Sequence, residues 1–195
     1  ESEYSPTPLP AGTPGFCAVR VEADSRQRLW QFDDDGGNPR PVMADVDSVG
    51  YFEWLDPSTL ALFVVGEPHT LRIVDVASQR ERVVARDIGR FIRCVPATRD
   101  VTFTLRNPDD TYRFFVLAWD AAEPEWLIDG PGAGEDAVWV GGYLLATNGA
   151  EILAVRPGAE TAWKRVADVR EWGAPGATRL AVSPDNQRLA VVCAQ

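Results

Sequence analysis

The chain has 195 residues and a mass of 21.4 kDa, a size that suits one domain or one large piece of a domain. Nineteen basic against twenty-nine acidic residues give a net charge of −10, a field that repels a phosphate backbone and argues against nucleic-acid binding. Hydrophobic residues make up 45% of the chain, yet no apolar run approaches the roughly 20 residues of a membrane-spanning helix.

Helical periodicity is nearly absent. Short runs rich in Val, Leu, Phe and Trp are broken every few residues by Gly, Pro, Asp or Asn, the pattern of an all-β protein. In chain order, strands are expected at Tyr4–Leu9, Phe16–Val21 and Gln27–Phe32, then, after a turn at Asp33–Asn38, at Pro39–Val42. The same order recurs as Val49–Leu55, Leu60–Val65, Thr70–Val76 and Glu81–Val84. A third copy runs Phe91–Val95, Val101–Arg106, Tyr112–Trp119 and Glu125–Ile128, and a fourth Ala137–Val140, Tyr143–Thr147, Glu151–Arg156 and Ala162–Val166. Two strands of a fifth follow, at Thr178–Val182 and Arg188–Val192. Four strands every 40–45 residues or so is the rhythm of a β-propeller, with antiparallel blades set around a central channel. The expected blades are 2–44, 45–87, 88–131 and 136–168, with a half blade at 177–195.

The segment Ser183-Pro184-Asp185-Asn186-Gln187-Arg188-Leu189-Ala190 resembles the Ser-Pro-Asp-Gly-x-x-Leu-Ala hairpin of TolB-type propeller repeats. Asn186 stands where Gly is usual, and Asn tolerates the left-handed conformation that the turn requires. Tyr4-Ser5-Pro6-Thr7-Pro8 and the hairpin from Ile73 to Arg80 also look like parts of such repeats, whereas the middle units lack the Ser-Pro-Asp turn. The resemblance implies a ring commonly closed by six blades, of which this chain would be a fragment. It also implies a non-catalytic scaffold that binds a protein or peptide partner, in the periplasm or secreted. The alternatives are the propeller domain of a prolyl-oligopeptidase-like hydrolase and a metal-dependent propeller enzyme such as a lactonase or lyase.

Chemistry-bearing residues are sparse. His69 is the only imidazole, and no Gly-x-Ser-x-Gly elbow accompanies it; it is expected in the turn between the second and third strands of its unit. Asp33-Asp34-Asp35-Gly36-Gly37-Asn38 lacks the spacing and the later Glu of a calcium loop and is expected to be a hairpin turn. Cys17, Cys94 and Cys193 sit in strand-like segments and are expected as buried thiols. No cofactor or metal is expected.

Aligning the units on their turns puts Thr7, Glu53, Arg93, Val138 and Ala181 at comparable positions of the first, innermost strands. Glu53 and Arg93 are thereby candidates to face a solvated channel or to pair structurally. Loops entering the first strands carry Asp45, Asp47, Arg86, Asp87, Arg90, Glu135, Asp136, Arg170, Glu171 and Trp172, which with Tyr51 compose a mixed-charge rim suited to a partner protein. The candidate binding residues are Tyr51, Glu53, His69, Arg90, Arg93 and Trp172. The seven tryptophans lie mostly in strands, and packing between blades is expected to account for them rather than a stacking platform.

Overall fold

The computed structural model describes residues 2–10 and 12–193. Among the described residues eighteen strands form four four-stranded antiparallel sheets and one two-stranded sheet, each in simple sequential order. The first sheet holds β1 (Ser2–Pro8), β2 (Phe16–Val21), β3 (Gln27–Phe32) and β4 (Arg40–Pro41). The second holds β5 (Val49–Asp56), β6 (Thr59–Val64), β7 (Thr70–Asp75) and β8 (Arg80–Arg86). The third holds β9 (Ile88–Cys94), β10 (Val101–Arg106), β11 (Tyr112–Leu117) and β12 (Glu125–Asp129), and the fourth β13 (Ala137–Val140), β14 (Tyr143–Thr147), β15 (Glu151–Val155) and β16 (Lys164–Asp168). β17 (Ala177–Val182) and β18 (Leu189–Cys193) complete the set. The chain divides into two compact units, Glu1–Ile88 and Gly89–Gln195.

The expected strands form, with small shifts at their ends. β4 is only two residues long because Pro39 and Pro41 cannot donate to a ladder. Trp119 lies beyond β11 rather than within it, and a single 3-10 turn at Val169–Trp172 was not expected from the sequence pattern.

In the first unit one apolar cluster joins the two sheets. Cys17, Val19 and Leu29 of the first sheet and Val49, Leu60, Leu62 and Val74 of the second are at most 1% exposed within it. Gln79 Nε2 donates to Val42 O at 3.1 Å, and Asp47 Oδ1 accepts the Gln27 amide at 3.0 Å. In the second unit Phe91, Phe114 and Ile128 pack with Ala137, Leu144, Ala146 and Val155. The Phe91 and Phe114 rings meet edge-on at 5.4 Å, and Trp163 lies 5.8 Å from Phe114. A second cluster packs β13 against β17 through Val138, Ile152, Val169, Ala177 and Leu180. Burial of this kind stabilises by about 25 cal/mol per Å2 of apolar surface.

The outer strands share one irregularity. Leu71 pairs with Ala85 but Arg72 with Val83, leaving Val84 as an extra residue in β8. Leu127 in β12 and Val166 in β16 are extra in the same way. Such a bulge twists the strand and spoils its free edge for further pairing.

The turns follow the residue chemistry. Asn186 has φ 56°, the left-handed conformation expected of it, and Asp185 Oδ1 accepts from Ser183 Oγ and the Gln187 amide. At Asp33–Asn38 the Asp35 carboxylate accepts Gly37 N at 2.8 Å, Asp33 accepts Asn38 Nδ2 at 2.7 Å, and Asp34 reaches across to Gly15 N at 2.7 Å. It is a hairpin turn with its acids in use. Two expectations need correction. Cys17 is fully buried, but Cys94 and Cys193 are only half-buried, because they close the ends of β9 and β18 rather than central strands. Trp126 and Trp172 are 58% and 60% exposed and Trp119 39%, so packing does not account for all the tryptophans.

Candidate functional site

In the first unit β5 places Tyr51 and Glu53 two residues apart, hence on one face, opposite Phe63 and Ala61 of β6. The Phe63 ring meets Tyr51 edge-on at 5.8 Å and His69, tilted, at 5.0 Å, so the structure brings both Tyr51 and His69 against one phenyl ring. His69 lies in the turn between β6 and β7, as expected, and is exposed. Its Nδ1 accepts the Gly66 amide at 3.1 Å, which engages one ring nitrogen in closing the turn.

The second unit holds Arg90, Arg93 and Trp172. The loop from β12 to β13 runs Gly130-Pro131-Gly132-Ala133-Gly134 and lies against neighbouring backbone: a Cβ on Gly130 would come within 2.6 Å of Tyr112 O, and one on Gly134 within 2.5 Å of Thr147 O. Only glycine allows that approach. The loop delivers two carboxylates to two different first strands. Glu135 Oε2 accepts the Arg90 amide of β9 at 2.9 Å while its other oxygen pairs with the Arg90 guanidinium. Asp136 Oδ2 accepts the Leu180 amide of β17 at 2.7 Å. Burial pushes the Asp136 carboxyl above its ordinary range, with the Leu180 amide and the Arg93 and Arg179 charges opposing that shift. Burial, reinforced by Glu135, likewise raises the Tyr112 phenol.

Arg93 lies further along β9. Its guanidinium donates to Ile92 O at 2.8 Å, and its carbonyl accepts from Thr102 Oγ1 at 2.9 Å. The same Thr102 oxygen accepts Trp139 Nε1 at 2.9 Å, which links the third sheet to the fourth. Thr104, two residues along and equally buried, has no partner for its hydroxyl. It crowds Gly89, where a Cβ would fall 2.4 Å from Thr104 Oγ1.

Trp172 ends the 3-10 turn. Asp168 Oδ1 caps the turn through the Arg170 amide at 3.0 Å, and the Asp168 carboxyl is held down to about 2 by its hydrogen bonds with the Arg170 side chain and backbone. Gly173, in the left-handed conformation at φ 79°, closes the other end, and Val169 is fully buried beneath. The backbone is pinned at both ends, while the indole stands 60% exposed.

The candidate residues thus fall into two sets, Tyr51, Glu53 and His69 in one unit and Arg90, Arg93 and Trp172 in the other. Glu135 and Asp136 were legible only as rim charges, and their ties to strand amides carry no sequence signal. The 3-10 turn did carry one: Asp168…Glu171 has capping-box spacing and Gly173 follows. Among the described residues no three or more His, Cys, Asp or Glu side chains gather as metal ligands. Nor, among the described residues, is any helix long and apolar enough to cross a membrane.

No protein-family model and no curated protein matches the chain. Solved structures do. TolB from Acinetobacter baumannii superposes with a TM-score of 0.70 at 16% identity, over 91% of this chain and 46% of that one. A protein assigned as TolB from Agrobacterium tumefaciens gives 0.69 at 11% identity, over 92% and 71%. The β-propeller domain of the Trilobed protease from Pyrococcus furiosus, described as having an open velcro topology, gives 0.60 at 8% identity, over 86% and 58%. The chain spans about half the length of the Acinetobacter protein, 46%. At these identities the likeness shows the fold, a TolB-type β-propeller built of four-stranded antiparallel blades.

Proposed function

We propose that the chain is a non-catalytic propeller scaffold that binds a protein or peptide partner, and that it works in the periplasm or outside the cell. The observation that carries the reading is Trp172, a large apolar side chain held in water by a backbone capped at both ends. A rigid, exposed aromatic gives up little conformational freedom on binding, and tryptophan is the residue most enriched where interfaces draw their energy. Arg170 and Glu171 beside it supply a polar rim. Tyr51, Glu53 and His69 on the first unit, and Arg90 and Arg93 on β9, are the further residues we assign to partner contact.

The test is quantitative capture of partners from a periplasmic extract by wild type, Trp172→Ala and Trp126→Ala. Trp126 is nearly as exposed, at 58%, but lies on the outer strand β12. Loss of a captured band with Trp172→Ala alone supports the reading. Equal capture by all three, or equal loss with both variants, overturns it.

A second reading, the propeller domain of a hydrolase, draws on the likeness to the protease propeller at TM-score 0.60. A hydrolase module encoded in the same full-length reading frame would favour it over the scaffold.

A further inference from the structure

A polypeptide can attack its own asparagine side chain: the next residue's backbone nitrogen bonds to the asparagine Cγ, and a glycine there offers no Cβ to block the approach. The chain has four asparagines. Asn38 and Asn107 precede prolines, which have no N–H to give up. Asn186 precedes Gln187, whose amide is held by Asp185 Oδ1 at 3.0 Å. The same attack at two Asp-Gly pairs is closed off in the backbone, because Gly36 N donates to Asp33 O at 2.9 Å and Gly130 N to Tyr112 O at 2.7 Å. Asn148-Gly149 is different. Both residues are exposed in the turn between β14 and β15, and Gly149 N has no hydrogen-bond partner among the described residues. The space where a Gly149 Cβ would stand is open to 4 Å.

The electrophile is prepared as well. Glu151 N donates to Asn148 Oδ1 at 3.0 Å, the oxygen on which charge gathers when Cγ becomes tetrahedral. Asn148 Nδ2, the leaving nitrogen, donates to Glu151 Oε2 at 2.8 Å. The turn is also a support. Gly149 O accepts Ala177 N at 2.6 Å and Ala150 O accepts Val169 N at 2.9 Å, so it holds both ends of the segment that carries Trp172.

We propose that Asn148 is a self-modification site whose deamidation loosens the Trp172 turn. Gly149 N bonds to Asn148 Cγ, the Cγ–Nδ2 bond breaks, and ammonia leaves with the proton that Gly149 N gives up, closing a cyclic succinimide. Water then opens the ring at either carbonyl. One product is an aspartate; the other is an isoaspartate, in which the backbone runs through Cγ and is one carbon longer. Both lose the Nδ2 donor and set a carboxylate against Glu151, and like charges so close repel. The isoaspartate also displaces Gly149 O and Ala150 O from Ala177 N and Val169 N. What this does to partner binding rests on the role given to Trp172 above; the experiment needs no partner, so the two can fail separately.

The experiment is ageing of the protein in warm, mildly alkaline buffer, read by peptide mapping at all four asparagines and by hydrogen exchange at Val169 and Ala177. Expected are conversion of Asn148 to aspartate and isoaspartate while Asn38, Asn107 and Asn186 persist, and exchange at both amides about tenfold faster once converted. Asn148→Gln, whose longer side chain disfavours ring closure, should keep its amide and its slow exchange through the same treatment. Persistence of Asn148 for as long as Asn186 overturns the proposal. So does conversion that leaves both amides unchanged, or an aged Asn148→Gln variant whose amides speed up as much as those of wild type.

Discussion

Replacing threonine by valine at two neighbouring positions of β10 should move stability in opposite directions. Thr102 and Thr104 are both fully buried, two residues apart on one face of the strand. Thr102 Oγ1 donates to Arg93 O and accepts Trp139 Nε1, both at 2.9 Å. Thr102→Val removes both bonds and leaves a half-buried indole N–H without its acceptor, a loss of about 2–3 kcal/mol. Thr104 Oγ1 has no partner, so its desolvation is uncompensated. A methyl in its place relieves a penalty of about 1–3 kcal/mol and adds apolar burial, for a net gain of about 1–2 kcal/mol. For a chain of this size, with a urea dependence near 2–3 kcal/mol per M, the midpoint should rise by about 0.5 M in Thr104→Val and fall by about 1 M in Thr102→Val. The assay is urea unfolding followed by tryptophan fluorescence, with slopes compared to confirm a common transition. Destabilisation of Thr104→Val by as much as Thr102→Val would refute the reasoning, because the Thr104 hydroxyl would then have a partner to lose.

Three further outcomes follow from the same geometry. Gly89→Ala should destabilise by about 2 kcal/mol or more through overpacking, since its Cβ would sit 2.4 Å from Thr104 Oγ1 and 2.9 Å from Tyr112 Cε1; calorimetry of Gly89→Ala with and without Thr104→Ala checks whether removing the oxygen relieves part of the loss. The Asp168 carboxyl, held down to about 2 by Arg170 against its usual 3.8, contributes stability that is fully present above the usual value and lost as pH falls through about 2; acid unfolding of Asp168→Asn should therefore lack that component. Burial pushes the Cys17 thiol up to about 12, so at pH 8 an aromatic disulfide reagent should titrate Cys94 and Cys193 in the native protein and Cys17 only after unfolding.

The strands were readable because each is a short run of β-branched and aromatic residues closed by Gly, Pro, Asp or Asn, and their order repeats. Strand ends were read less well where side chains compete for the last ladder position. Trp119 is drawn out of β11 because the guanidinium of Arg99 lies over its ring at 3.2 Å and Asp100 accepts its amide. The site was legible as residue types and not as connections. Nothing in the local sequence distinguishes Glu135, which closes on Arg90, from Asp136, which reaches β17 some forty-four positions away. Exposure of a tryptophan is equally a property of where its strand stands: Trp139 in β13 is satisfied inside by Thr102, while Trp126 in an outer strand donates to Asp129 at the surface.

The displaced residue in β8, β12 and β16 bears on ancestry. Alternating apolar side chains can arise independently wherever a sheet has one dry face, so regular strands say little about common descent. A ladder that slips by one residue at the same step of three sheets, each time leaving an aliphatic residue (Val84, Leu127, Val166), is more than one dry face requires. A repeated offset of that kind is what three copies of a single duplicated segment would share, even where their side chains no longer align.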